Sequence, residues 1–244
     1  MRLTHDLEIF DLALYLVKHN SLVVADVHIG FEEALNRQGV LIPRFQFNEV
    51  VKRLEAIILS VLKARKLKKL DKIIVNGDIK HEFGTISEQE WRDTLKLLDF
   101  LGRHCDKIVL VKGNHDTILG PIADKREIEV VDELVIGDIF IVHGHKLPNS
   151  QKLTAKSVVI AHEHPAVSVT RFPRSELFKC WLKGKWKGKE LIVMPSFNLV
   201  TEGTDILRES LLSPFLKGVN LDDFECYVVE DKVYGFGKLK NLRV

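Results

Sequence analysis

The chain has 244 residues, enough for one large domain with a substantial core. A hydrophobic content of 45% without any apolar run near the ~20 residues of a membrane span excludes a helical membrane protein. A net charge of +2 removes any global demand for nucleic acid, and Cys105, Cys180 and Cys226, scattered and without CxxC spacing, exclude a disulfide framework or a thiolate zinc site.

The first residues, Met1-Arg2-Leu3-Thr4-His5-Asp6, lack the apolar centre of a secretion signal, so a cytoplasmic protein is expected. Many Lys and Glu accompany Gln at only 38, 46, 89 and 151, a balance associated with thermophiles.

In chain order, Ser21 to Ala25 reads as a short buried strand ending at Asp26. Residues 44–67 carry Phe47, Val50, Val51, Leu54, Ile57, Ile58, Val61 and Leu62 at helical intervals. Ile73 to Asn76 is the next strand, running into Gly77-Asp78. Ser87 to Leu101 is a helix with Ser87 as N-cap and Glu90 three residues on, the capping-box pattern. Lys107 to Val111 is a β-branched strand running into Gly113-Asn114-His115-Asp116. Strands alternating with helices predict parallel pairing with right-handed crossovers. The second half changes character: residues 128–142 hold short strands, followed by strands at 157–161, 166–170, 176–182 and 191–194 and a hairpin of 226–229 and 232–236. The expected fold class is α/β, with two packed mixed β-sheets flanked by helices in one domain spanning 1–244.

Five polar clusters each follow an apolar run: Asp26-Val27-His28, Gly77-Asp78, Asn114-His115, His143-Gly144-His145 and His162-Glu163-His164. The i, i+2 pairs point the same way on extended backbone, and strand ends are where α/β proteins build sites. Carboxylate, imidazole and amide without thiolate suit borderline or hard divalent ions. Seven donors are too many for one catalytic ion with an open position, and suit two ions sharing a carboxylate. Two ions roughly 3.5–4 Å apart can clamp a phosphoryl group and activate a shared water.

DxH, GD, GNHD, H and a final HxH, in that order across residues 24–165, resemble the calcineurin-like metallophosphoesterase superfamily. The resemblance implies a double β-sandwich flanked by helices. It assigns Asp26, His28 and His164 to a first metal, Asp78 to a bridge, and Asn114, His143 and His162 to a second metal. His115 becomes the proton donor to the leaving oxygen, and Asp116 the residue that orients it; a helix N-cap is the plainer role for Asp116. His145 is a substrate-pocket residue or a plain turn His; His81, where the repair-nuclease branch also carries His, contacts the phosphate or supports a ligand, or is a solvated loop residue. The family usually has Gly where this chain has Ala161, a cost of about 1 kcal/mol if that position needs positive φ.

Gly30-Phe31-Glu32-Glu33-Ala34-Leu35, the stretch Gly39 to Pro43, His164-Pro165-Ala166-Val167 and Met194-Pro195-Ser196-Phe197-Asn198 resemble the small phosphoesterases encoded beside DNA ligase, relatives of the SbcD-type nucleases, and their archaeal counterparts. That resemblance implies a binuclear phosphodiesterase, a candidate repair nuclease, in which a metal-bridged hydroxide attacks phosphorus. Manganese is the first choice of metal, ahead of iron, zinc, cobalt and nickel. The alternatives are a phosphomonoesterase, a cyclic-nucleotide phosphodiesterase and, from another class, a non-catalytic binding scaffold of the same fold. The implied partner is a phosphoester, single-stranded DNA or a nucleotide among the candidates, and no membrane.

Two surfaces bear on nucleic acid. Lys63, Arg65, Lys66, Lys68 and Lys69 read first as favourable charge at a helix C-terminus. Trp181 and Trp186 interleaved with Lys179, Lys183, Lys185, Lys187 and Lys189 fit a single-strand platform, or a hairpin turned at Gly184 or Gly188 with solvated lysines. Phe197, Leu199, Leu211, Leu212, Phe215 and Leu216 are either core or a homodimer face.

Overall fold

A computed structural model describes residues 1–83, 86–116, 119, 120, 123, 125, 126, 128–148, 154–171 and 173–243. The chain opens with an antiparallel hairpin, β1 (Leu7–Phe10) and β2 (Ala13–Leu16), turned at Asp11 with φ 57°. This hairpin was not expected from the sequence. It starts a six-stranded sheet that continues through β3 (Ser21–Val24), β4 (Leu70–Asn76), β5 (Cys105–Val111) and β6 (Glu129–Val131) in spatial order. From β3 onward the pairing is parallel, as the strand–helix alternation demands.

Among the described residues, three α-helices lie between these strands. The short α1 (Phe31–Arg37) precedes α2 (Gln46–Arg65), whose Val50, Leu54, Ile57, Ile58 and Val61 form one buried stripe. In α3 (Glu88–His104) the capping box is complete: Glu90 N donates to Ser87 Oγ at 3.1 Å and Ser87 N donates to Glu90 Oε2 at 3.1 Å. No described helix is long and apolar enough to cross a membrane.

The second sheet has nine strands: β7 (Glu133–Ile136), β8 (Ile139–Val142), β9 (Ser157–Ile160), β10 (Pro165–Arg171), β11 (Arg174–Trp186), β12 (Lys189–Val193), β13 (Thr204–Asp205), β14 (Glu225–Val229) and β15 (Val233–Lys238). Their order is β13-β10-β11-β12-β9-β8-β7, with β14 on β11 and β15 on β14. Parallel β8–β9 and β9–β12 pairs at its centre put the ends of β8 and β9 side by side.

Period-two alternation divides the second sheet between two cores. Ile139, Ile141, Val159 and Ile192 face the first sheet, while Phe140, Val142, Val158, Ile160, Leu191 and Val193 face away. The outward face is closed by Ile206, Phe215, Leu216, Leu221 and Phe224 from irregular chain. Phe197, Phe215 and Leu216 are thus buried within the chain, which removes half of the six residues weighed as a dimer face.

The lysine-and-tryptophan segment is the β11–β12 hairpin, turned at Lys187-Gly188 with φ of 47° and 77°. Trp181 is fully buried with Nε1 donating to Asp11 O at 2.9 Å, and Trp186 packs on Phe215 at 4.7 Å. Lys179, Lys183 and Lys189 donate to carbonyls at Thr201, Leu3 and Ala155. Both indoles serve the core, so this segment is not a stacking platform. Of the basic residues at the end of α2, Arg65 pairs with Glu8, and Lys69 with Asp106 at 2.9 Å.

Candidate metal centre

Parallel registry brings three clusters together. Val24 lies opposite Val75 and Asn76 opposite Val111, so the loops after β3, β4 and β5 leave the first sheet side by side. The first two loops are laced by Asp26 N to Gly77 O at 3.1 Å, His28 N to Asp78 O at 2.9 Å and His81 N to Ile29 O at 3.0 Å. The second sheet supplies His143 after β8, with His162 and His164 after β9. Its own connecting chain grips Asp26: Asn198 N and Ser196 Oγ both donate to Asp26 O, at 3.0 and 2.8 Å. Gln46, buried at the start of α2, braces Asn198 through a 2.9 Å bond to Oδ1.

Nine described non-glycine residues have positive φ, and five are site residues: Asp26 (52°), His28 (50°), Asp78 (47°), His162 (65°) and His164 (49°). A left-handed residue turns its side chain away from the line of the strand and into the space between the sheets. Such backbone costs of order 1–3 kcal/mol per residue and persists where the surroundings over-determine it. Ala161, by contrast, has no positive φ, so the departure from Gly carries no backbone strain.

All seven expected donors converge. Asp26, His28 and His164 bring one ligand atom each within 4.8 Å of one another, as do Asp78, His143 and His162. Asn114 Oδ1 joins the second group, 3.0 Å from His143 Nε2. One oxygen of the second group, Asp78 Oδ2, also faces the first: it is 3.3 Å from His143 Nε2 and 3.9 Å from His28 Nε2. Its partner Oδ1 accepts His115 N at 2.9 Å, which fixes the carboxylate. Gly113 leaves room for it, since a Cβ there would stand 1.9 Å from Asp78 Oδ1.

The donor set fits divalent cations. Asp26 Oδ1 is buried without a hydrogen-bond partner, a costly state for a carboxylate unless a cation faces it. His28 Nε2 and His164 Nε2 stand 3.4 Å apart, two imidazole nitrogens converging on one point. Burial, then the neighbouring His164, pushes His28 down to about 3, the neutral form a metal ligand needs. Burial works against ionising Asp26 and Asp78, but hydrogen bonds and charge from His164 and His143 hold both carboxyls below their usual range. His143 answers them: burial would lower it, yet Asp78 and Asp26 raise it to about 9.

His115 is in neither of these two groups, but its ligand nitrogen lies with those of His28 and His81 in a third cluster, all within 4.8 Å of one another. Its Nε2 lies 3.9 Å from Asp78 Oδ2, while Nδ1 faces the carbonyl of His81. A carbonyl only accepts, so Nδ1 carries a proton and Nε2 is the nitrogen turned to the site. The expected orienting contact from Asp116 is replaced: Asp116 Oδ2 accepts Gly113 N at 3.0 Å, and no contact joins its carboxylate to the His115 ring. Burial and the Asp78 charge raise Asp116 to about 6. Its bond to Gly113, three residues back, closes the GNHD turn.

His81 and His145 sit at the margins. His81 Nδ1 is 3.4 Å from His28 Nδ1, its ring 5.4 Å from that of His115. The His145 ring lies 5.3 Å from that of His143, and its Nδ1 is buried without a partner. Burial lowers both imidazoles to about 4. Sequence reasoning missed Phe31, whose ring is 4.5 Å from His81, and Phe83, whose ring is 3.6 Å from His115. It also saw Glu90 only as a helix cap. Glu90 Oε1 accepts His81 N at 3.1 Å and Glu82 N at 2.9 Å, tying the loop to α3.

The profile of the calcineurin-like phosphoesterases matches residues 19–222. The chain belongs to that family. Metal-dependent hydrolysis of phosphoesters is the family's chemistry, and the chain carries His and Asp clusters that could hold a metal. Among solved structures, the Pseudomonas putida nuclease MPE superposes with a TM-score of 0.61 at 21% identity, covering 93% of each chain. The E. coli phosphoesterase Yfce gives a TM-score of 0.38 at 14% identity, covering 90% of this chain and 97% of that one. Zinc-complexed Vps29 from Entamoeba histolytica gives 0.37 at 15%, covering 88% and 96%. A comparison with curated protein sequences gives no match.

Proposed function

We propose that this chain, as one domain across 1–244, is a binuclear phosphodiesterase. The observation that carries the reading is Asp78 Oδ2, 3.3 Å from His143 Nε2 and 3.9 Å from His28 Nε2, standing between Asp26, His28 and His164 on one side and Asn114, His143 and His162 on the other. His115, its Nδ1 held by the His81 carbonyl, is taken as the acid and not as a ligand. Asp26, His28, Asp78 and His164 would hold one ion, and Asp78, Asn114, His143 and His162 the other. Bound there, divalent ions supply Lewis acidity to the phosphoryl oxygens and lower the pKa of water. Manganese is the proposed metal, since mixed imidazole, carboxylate and amide donors suit it.

The chain's own residues do the rest. His115 presents Nε2 toward the ester, with Nδ1–H held by the His81 carbonyl, and protonates the departing oxygen. His81 and His145 flank the centre and contact the phosphate from either side of the ligand groups. The buried walls around Asp26 and His143 exclude bulk water. The nuclease among the structural relatives favours a nucleic-acid or nucleotide ester over a simple one.

The experiment is hydrolysis of bis-p-nitrophenyl phosphate with and without manganese. Activity that requires the metal, is abolished by chelation and drops in His115→Ala supports the reading. Faster cleavage of p-nitrophenyl phosphate than of the diester would make it a monoesterase. Preference for 2′,3′-cyclic nucleotides would make it a cyclic phosphodiesterase. Tight metal binding with no hydrolysis of any ester would make it a scaffold.

A further inference from the structure

Phe83 is 59% exposed, belongs to neither hydrophobic core, and lies with its ring centroid 3.6 Å from that of His115 at an interplanar angle of 33°. An apolar ring that large, left in water at the edge of a polar site, contributes nothing to the core. Nor does it sit on loose chain. The residue before it, Glu82, is fixed through its amide to Glu90 at 2.9 Å and through its carboxylate to Arg37 at 3.5 Å. The Phe83 ring thus follows a braced residue, Glu82, and lies beside the imidazole that meets the leaving group.

We propose that Phe83 is a stacking platform for the base of the leaving nucleoside, which makes the substrate a nucleoside phosphodiester with an accessible base on that side. This rests on the reading of His115 as the proton donor. Whatever departs with the proton must lie against His115, and the next surface outward is the open part of the Phe83 ring. Every nucleobase has a π-face that such a ring accepts, so the contact selects for a base without choosing which one. A leaving group that is only an alkyl alcohol would leave the ring in water and gain nothing from it.

The test removes ring and base in turn. Phe83→Ala removes the ring and Phe83→Trp keeps a π-face. A thymidine dinucleotide is compared with two abasic twins lacking the 5′ or the 3′ base, the leaving side being identified from the products. KM and kcat are measured with manganese, and Kd by calorimetry on the manganese-loaded protein. Loss of the leaving-side base should raise KM and Kd of the wild type about 5- to 150-fold, the range that a base–aromatic stack spans. The same loss should change Phe83→Ala less than about 2-fold, and Phe83→Trp should keep the preference. Equal Kd for all three dinucleotides in the wild type overturns the proposal. So does a fall of kcat by one factor on all three in Phe83→Ala with KM unchanged, because the ring would then only shield His115. Absence of hydrolysis of bis-p-nitrophenyl phosphate by the wild type is a failure of the enzymatic reading instead, and the calorimetric comparison still decides the stack.

Discussion

His115 gives its Nδ1 proton to the main-chain carbonyl of His81, thirty-four residues away in sequence. A carbonyl cannot take up that proton, so the tautomer is fixed by the path of the chain and does not depend on a second titrating group. The expected outcome separates two neighbours in the same turn. His115→Asn should lower kcat by roughly 10²–10⁴, the usual worth of a positioned acid, with two metals per chain still bound. Asp116→Asn should cost less than about 10-fold, because an amide oxygen can accept Gly113 N as the carboxylate does. Steady-state kinetics with metal analysis of both variants checks this; a loss in Asp116→Asn equal to that in His115→Asn would refute it.

Glu90 holds the carbonyl that holds His115. Its two oxygens serve three amides, His81 and Glu82 at one and Ser87 at the other. Gln keeps the shape but has a single accepting oxygen, so one set must go unmet. Glu90→Gln should destabilise the fold by about 1–2 kcal/mol through the lost cap and buried amides. It should also lower kcat about 10-fold at temperatures where the variant is fully folded. Thermal unfolding and kinetics measured together check both halves, and a variant with lower Tm but unchanged kcat would reduce Glu90 to a cap.

Metal loading should be readable without substrate. Asp26 Oδ1 has no hydrogen-bond partner, facing only the His143 ring at 3.5 Å, and Asp26 and Asp78 are both fully buried carboxylates. A cation that binds only the folded chain adds about 4 kcal/mol at a free concentration ~1,000 times its Kd. Manganese should therefore raise Tm, and chelation should reverse the rise. Asp26→Asn removes the charge and keeps the volume, so the manganese-induced rise should shrink to less than half. Differential scanning calorimetry at matched free manganese checks it; an undiminished rise would place the ion elsewhere.

What the sequence made legible follows from local rules. β3, β4 and β5 are β-branched runs bounded by turn residues, α2 carries a continuous apolar stripe, and Ser87 with Glu90 announces α3. That the seven candidate donors would meet was legible because each follows an apolar strand, and parallel registry does the rest. The β1–β2 hairpin escaped because its turn rests on Asp11 at positive φ, without the Gly or Asn that marks such turns. Trp181 and Trp186 misled because alternation on β11 cannot say which face is solvent: the first sheet covers Trp181, and the irregular chain carrying Phe215 covers Trp186. Contacts to the main chain, such as His115 to the His81 carbonyl, leave no trace in residue identity, so Asp116 was given a task that belongs to the backbone.

Lys179 supplies a pH dependence remote from the metal centre. Its ammonium is 5% exposed and donates to the carbonyls of Thr201 at 2.6 Å and Glu202 at 3.1 Å. Burial outweighs the Glu202 charge and lowers it to about 8. The group is a base whose folded pKa lies below its unfolded value, so between about 8 and 10.4 the unfolded chain binds more protons than the folded one. Stability from this residue therefore rises with pH across that window, and the penalty is complete below it. Lys179→Met lacks the group, so the stability of wild type relative to variant should climb by up to roughly 3 kcal/mol from pH 8 to pH 10.4. Denaturant unfolding of both proteins at several pH values checks it. A difference that stays flat would mean that the two carbonyls hold the ammonium at its ordinary pKa, and one that falls as pH rises would mean that they hold it above that value.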